Sequence, residues 1–280
     1  MSSIAILGAG ALGGALAHRL TSRGRVRDVR LIDAEGSIAR GKALDILQSS
    51  AIDGFSTRVS AGDSIEAAAG ADVIVIGDAG RGDAEHAGEQ GLAMMRRMVS
   101  METAAPLVFA GAGQRELMSR LVSELHVPGR RVMGSAPGAL ESAVRALVGL
   151  ELNGSGTDVQ LLVVGVPPRA ALVAWEGATA HGQPLSELVP AHRLAAISSR
   201  LPGLWPPGPQ VLASAASRVV EAIVNAGRRR YTCFAAKEEP PGRNAIVAIP
   251  VELGPEGIRR ALLPALSPQE QTLFENALTA

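Results

Sequence analysis

Ser3-Ile4-Ala5-Ile6-Leu7-Gly8-Ala9-Gly10-Ala11-Leu12-Gly13 is the stretch on which the reading of the fold turns. A short apolar run, Ser3 to Leu7, breaks at Gly8 into a G-x-G-x-x-G pattern, and Gly13 to Ser22 continues with helical spacing. The first glycine permits a tight turn, the second lets a pyrophosphate approach the backbone, and the third lets helix pack on strand. The start of the helix offers unpaired N–H donors to the phosphates. The next strand, Arg27 to Ile32, closes on Asp33, twenty residues beyond Gly13. A carboxylate there accepts both ribose hydroxyls and repels a 2′-phosphate, which favours NAD over NADP. Gly8, Gly10, Ala11, Leu12, Gly13 and Asp33 are the expected cofactor contacts, joined by Ala79 and Gly80 beyond the strand Asp72 to Ile76.

Working outward, short apolar runs alternate with helical stretches, as in a parallel α/β sheet. Helical patterns fall at Gly41 to Gln48, Ile65 to Ala69, Gly88 to Thr103 and Arg115 to Glu124, with a further strand at Pro106 to Ala110. After Val132 the rhythm changes. Leu140 to Leu150 reads as helix, Val159 to Val166 as one strong strand, and Trp175 onward as a hairpin. Leu201 to Pro209 is a Pro/Gly-rich break, followed by a helix at Ala213 to Ala226, a strand at Ala245 to Leu253 and a closing helix at Ser267 to Leu278. Ser267 with Glu270 three residues on makes a capping box. The expected architecture is α/β: a Rossmann doubly wound parallel sheet over residues 1–135, followed by a smaller α+β substrate-type domain over 136–280.

At about 150 residues per domain, 280 residues are enough for such a pair and for a full core. The 27 basic and 27 acidic side chains cancel, which removes the electrostatic case for nucleic acid or an anionic membrane surface. Four Phe, two Trp and one Tyr leave little material for base stacking. Cys233 is the single cysteine, so an internal disulfide and a cysteine-rich zinc site are excluded. No metal site is expected. No apolar run reaches the roughly 18 residues of a membrane span and no leader pattern is visible, so the expected location is cytoplasmic.

Beyond the fingerprint, Gly41-Lys42-Ala43-Leu44-Asp45-Ile46 with Ile52-Asp53-Gly54-Phe55, Leu140-Glu141-Ser142-Ala143, Gly182-Gln183-Pro184-Leu185 and Ile249-Pro250-Val251 occur in series. With these motifs the chain resembles the lactate/malate dehydrogenase family, in its malate-dehydrogenase-like branch, nearly end to end. The resemblance implies NAD as cofactor, a 2-hydroxy or 2-oxo acid or an analogue as small-molecule substrate, and a homo-oligomer. It also implies four substrate-side motifs, and the chain departs from each. The family's acid/base histidine falls on Pro167, in Gly165-Val166-Pro167-Pro168-Arg169, with the register fixed by the seventeen residues from Pro167 to Pro184. The carboxylate that orients that histidine is replaced by Glu141, and the arginine that clamps the substrate carboxylate by Val144; Arg145 points about 100° away around the helix. The mobile loop, Gly80 to Glu89, carries Arg81 among the acids Asp83, Glu85 and Glu89, which would repel a dicarboxylate. Phe109-Ala110-Gly111-Ala112-Gly113 stands where the resemblance implies a Thr-Asn-Pro turn.

Loss of an acid/base removes about 10²–10⁴ in rate. The first reading is therefore a dinucleotide-binding relative whose substrate centre is rebuilt, so that it is silent on malate and lactate or takes a less anionic substrate. A second reading is a structural or NAD-sensing pseudoenzyme. A third is an active 2-hydroxy-acid dehydrogenase using Glu141, His86 and Arg81 as its catalytic groups. Of the other histidines, His181 reads as a turn residue, His192 as surface helix, and His18 and His126 as remote from the site. Arg228-Arg229-Arg230 reads as a solvated helix end, Cys233 as a buried strand residue, and Glu238-Glu239-Pro240-Pro241 as an acidic turn.

Overall fold

A computed structural model describes residues 2–238 and 244–279. The first half is built on parallel strands: β1 (Ser3–Leu7), β2 (Asp28–Ile32), β3 (Arg58–Gly62), β4 (Val73–Ile76), β5 (Leu107–Phe109) and β6 (Val132–Gly134). Their order is β3-β2-β1-β4-β5-β6, the doubly wound arrangement in which all strands are parallel and the order of strand addition reverses between β1 and β4. Ile4 faces Val29 on one side and Val73 on the other. Every residue of β1 and β4 is buried, which is why both read as unbroken apolar runs rather than alternating ones. Between the strands run α1 (Ala11–Ser22), α2 (Gly36–Asp53), α3 (Gly88–Val99) and α4 (Arg115–Ser123).

The second half begins with α5 (Ala136–Glu151), then β7 (Val159–Gln160), β8 (Val163–Val166), β9 (Ala170–Val173), β10 (Thr179–Ala180) and β11 (Gln183–Pro184). The short helices α6 (Leu185–Leu188) and α7 (Ala191–Ser198) lead to α8 (Pro209–Asn225), β12 (Arg230–Glu238), β13 (Asn244–Gly254), β14 (Gly257–Ala261) and α9 (Pro268–Thr279). One sheet runs through both halves: β12 lies antiparallel to β6, with Phe234 opposite Gly134 and Ala235 opposite Met133, and continues through β13 to β8 and β9. The expected boundary at residue 135 therefore falls at the end of β6, inside a shared sheet. One apolar core spans the parallel strands, α8, β12 and β13; a second packs α5 against β7, β8, α6 and α7.

Several elements differ from expectation, each for a local reason. The run Val159 to Val166 serves two sheets: β7 pairs with β10, while β8 pairs with β9 and β13, and the chain crosses between them at Leu161-Leu162. β3 escapes the periodicity because Val59 is its one fully apolar buried side chain. The helix before Arg228 ends at Asn225, with Ala226 in the left-handed region at φ 51°. Arg230 then opens β12, so the triple arginine leads into a strand rather than ending a helix. α8 starts earlier than expected, at Pro209, whose missing N–H costs nothing in a first helical turn. The capping box on α9 forms: Glu270 accepts from the Ser267 N–H at 2.8 Å, and its other oxygen accepts from the Trp175 N–H at 2.8 Å. Cys233 is fully buried in β12 as expected, and burial pushes its thiol far up. Residues 239–241 of the expected acidic turn lie outside the described residues.

Candidate functional site

The carboxyl ends of β1, β2 and β4 converge on the start of α1, where the sequence places the phosphate-binding turn. Gly8 takes φ 110°, and a methyl group on it would lie 2.2 Å from the Asp78 carbonyl oxygen. On Gly13 it would lie 2.1 Å from the Gly8 carbonyl oxygen, so both glycines serve close backbone approach. α1 has no side-chain cap from Gly10. Its first N–H groups are instead taken by acids from beyond β4. Leu12 and Gly13 donate to the two oxygens of Asp78 at 2.9 and 2.8 Å, and Ala11 donates to Asp83 at 2.8 Å.

Asp33 is likewise engaged: its Oδ2 accepts from the N–H groups of Ala9 at 2.8 Å and Gly80 at 2.7 Å, and its Oδ1 from Glu35 at 2.8 Å. The space in front of Gly10, which the fingerprint keeps clear for a pyrophosphate, holds the Asp78 carboxylate; a methyl group on Gly10 would meet Asp78 Cγ at 2.4 Å. Lys42 donates to the Gly10 carbonyl at 2.6 Å. As arranged, these residues do not fit a dinucleotide: the phosphate donors already have acceptors, and three carboxylates face the turn.

The loop carrying these acids is folded inward. Asp78 and Glu85 form an antiparallel bridge, and Ala79 donates to the Ala84 carbonyl at 2.8 Å. Glu85 accepts from the N–H groups of Ala112 and Gly113, both at 2.7 Å. Gln114 holds the loop from beneath, donating to the carbonyls of Gly77 at 3.0 Å and His86 at 3.3 Å. Asp83 and Glu85, expected as charges that repel a dicarboxylate, also serve as acceptors for backbone N–H groups. Asp78 and Gln114 were not anticipated. The signal available was an acid one residue past the buried run Val73–Ile76-Gly77, where a strand end faces the first helix.

On the substrate side, Pro167 is buried in the turn between β8 and β9 and carries no titratable group. Val144 is fully buried in the second core with Leu140, Val148, Val163 and Val173. Glu141 accepts a short hydrogen bond from the Thr232 hydroxyl. Burial raises its pKa, opposed by the Thr232 bond and by the charges of Arg145 and Arg229 and a backbone bond from Val163. It lines a cavity of about 600 Å³ together with Arg23, Arg145, Arg218, Arg229 and Thr232. His86 lies near Asp33 and Asp78; burial lowers its pKa, and those two charges partly oppose the shift. Arg81 is 80% exposed and approaches Glu35 at 3.6 Å. Glu141 is bonded to Thr232, Arg81 lies beside Glu35 and His86 beside Asp33 and Asp78, each of the three thus in a different setting. His18, His126, His181 and His192 are exposed. Among the described residues, no cluster of three or more His, Cys, Asp or Glu is placed to hold a metal ion, and no helix is long and apolar enough to cross a membrane.

A parallel sheet in the order 3-2-1-4-5-6, with a glycine fingerprint at its switch point and an antiparallel extension, is a dinucleotide-binding type of doubly wound fold. Residues 2–97 match the family described as lactate/malate dehydrogenase, NAD binding domain. The malate dehydrogenase of Chloroherpeton thalassium is 30% identical over 92% of this chain and 89% of its own length. That of Thermomicrobium roseum is 28% identical over 99% and 95%. Among solved structures, a malate dehydrogenase from Salinibacter ruber superposes with a TM-score of 0.83 at 24% identity, covering 98% of this chain and 93% of that one. A Cryptosporidium parvum lactate dehydrogenase complexed with lactic acid and nicotinamide adenine dinucleotide gives 0.86 at 20%, covering 99% and 95%. The chain belongs to the lactate/malate dehydrogenase family, and residues 2–97 match that family's NAD-binding domain.

Proposed function

We propose that this protein is a malate-dehydrogenase-like member of the oxidoreductase family that has given up malate and lactate as substrates. The observation that carries the reading is the pairing of Pro167 with Val144. Where hydride exchange with a 2-hydroxy acid calls for a group that takes the proton from the carbinol oxygen and returns it in the reverse direction, the chain has a buried pyrrolidine ring. Where a guanidinium would clamp the substrate carboxylate through two parallel bonds, a valine is sealed in the core. Neither position can hold or move a proton, and neither can neutralise an anion.

Glu141 remains from the usual constellation, but it bonds Thr232 and has no imidazole to orient. A substrate still accepted by this site would be less anionic than malate or lactate. The inward acids of the loop favour the second reading, a non-catalytic role in structure or NAD sensing, over an active site rebuilt from Glu141, His86 and Arg81. We place the protein in the cytoplasm as a homo-oligomer; Leu44, Leu47 and Ile52, exposed on α2, supply an apolar face for a second copy. Light scattering on the purified chain tests the oligomer.

The functional test is NADH oxidation with oxaloacetate, pyruvate and a panel of neutral 2-oxo compounds at high enzyme concentration. The expected result is no turnover of the two anionic acids above about 10⁻² of an ordinary enzyme rate of about 10 s⁻¹. Oxaloacetate reduction at ordinary rates would overturn the proposal.

A further inference from the structure

Three observations at the nucleotide cleft concern cofactor access rather than catalysis. First, the donors of the phosphate-binding turn are saturated from within: Asp78 takes two N–H groups of α1 and Asp83 a third. Second, the carboxylate of Asp78 sits where the second glycine of the fingerprint leaves room, so the conflict is one of volume as well as charge. Third, the loop is anchored at both ends: the Asp78–Glu85 bridge folds it, and the Glu85 carboxylate ties it to the Ala112 and Gly113 N–H groups across the cleft. Three carboxylates, those of Asp33, Asp78 and Asp83, surround the turn, with Lys42 the cation bonded to it. A carboxylate bonded by paired backbone N–H groups at a helix start has the charge and geometry that a phosphate oxygen pair would otherwise supply there.

We infer that the acidic loop Asp78 to His86 is the resident occupant of the dinucleotide cleft, with Asp78 and Asp83 standing in for a pyrophosphate, so that a nucleotide enters only by displacing the loop. The loop is an autoinhibitory segment. It lowers the affinity for every ligand that brings phosphate to Gly10 and spares ligands that do not. This holds whether or not the protein reduces any 2-oxo acid, because it concerns binding alone.

The test uses the full-length protein, with ADP-ribose as a probe that carries the pyrophosphate but no reactive ring and adenosine as a probe without phosphate. Calorimetric titration is compared for the wild-type chain, Asp83→Ala and Asp78→Ala/Asp83→Ala. Removing the buried like charge of Asp78 is worth about tenfold in affinity, so the double variant gains at least about tenfold for ADP-ribose over wild type, with adenosine unchanged. Asp83 makes one exposed bond, so Asp83→Ala keeps the fold and decides the matter if the double variant does not, with an expected gain of about threefold. ADP-ribose affinity within twofold of wild type in Asp83→Ala and in any folded double variant overturns the inference. So does an equal gain for adenosine, which would mean a merely looser cleft. Failure of the catalytic proposal would appear only in the turnover assay, which this titration does not contain.

Discussion

Replacing Asp78 by alanine separates a carboxylate that organises the fold from one that merely lies near a helix. Asp78 is 3% exposed and accepts from two N–H groups, those of Leu12 and Gly13, at 2.9 and 2.8 Å. Hydrogen bonds to a charged partner contribute about 1.5–3 kcal/mol each, and a lost helix cap costs about 0.5–2 kcal/mol. Simple addition overstates the cost, since both bonds reach one group and water enters once the side chain is gone. A loss of about 2 kcal/mol follows, or about 3–4 °C in Tm for a chain of this size. Asp83→Ala removes one exposed bond at Ala11 and should cost no more than about 0.5 kcal/mol. Urea unfolding followed by far-ultraviolet circular dichroism measures both. Trp175 and Trp205 both lie in the second half and would report that half alone. An Asp78→Ala variant within about 0.5 kcal/mol of wild type would refute the reasoning, because the N–H groups of α1 would then be content without their acceptor.

Reinstating the substrate clamp by Val144→Arg would place a cation in a fully buried core site and should cost about 3 kcal/mol or more, seen as a collapsed urea midpoint or insoluble protein; a variant as stable as wild type would contradict the burial. Glu141→Gln keeps an acceptor for Thr232 without the buried charge. The folded-state pKa of Glu141 is raised, so its protonated form favours folding below the unfolded carboxylate value and that support is lost as pH rises through the folded value. The glutamine variant should therefore melt above wild type at pH 8 and level with it near pH 4, in paired thermal scans. Glu221 is 4% exposed and joins α8 to Arg23 at 2.8 Å and Arg25 at 3.2 Å, beside α1, with Arg218 at 3.7 Å. Glu221→Ala should cost about 2 kcal/mol, less than a fully buried pair because the arginines reach solvent, and chemical denaturation would show it.

The parallel half was largely legible in sequence because it obeys local rules. A buried run followed by three glycines and an acid at the end of the next strand has few structural solutions. β1, β2, β4 and the helix after the fingerprint all form where the pattern places them. β3 was hidden because it lies at the sheet edge with little apolar content, and the split of Val159 to Val166 because a continuous apolar run does not say which sheet each residue joins. The absence of usable chemistry at Pro167 and Val144 was readable from residue type alone. The destination of the loop acids was not. Asp83 and Glu85 in sequence are charges on a glycine-rich loop, and only the backbone path shows them aimed at the N–H groups of Ala11, Ala112 and Gly113.

The pairing of β6 with β12 bears on how this molecule moves. Two lobes joined by a linker could part like a jaw to admit a ligand. Here the lobes share a hydrogen-bonded seam, with Met133 opposite Ala235 and Gly134 opposite Phe234, the latter ring fixed edge-on against Trp205 at 6.1 Å. Spreading the lobes would break that seam and expose the apolar interior beneath it. With that seam intact, the displacement inferred for the loop falls to the ten residues between Gly77 and Gly88, where Gly82 and Gly88 take φ 79° and 57°, values glycine adopts without strain.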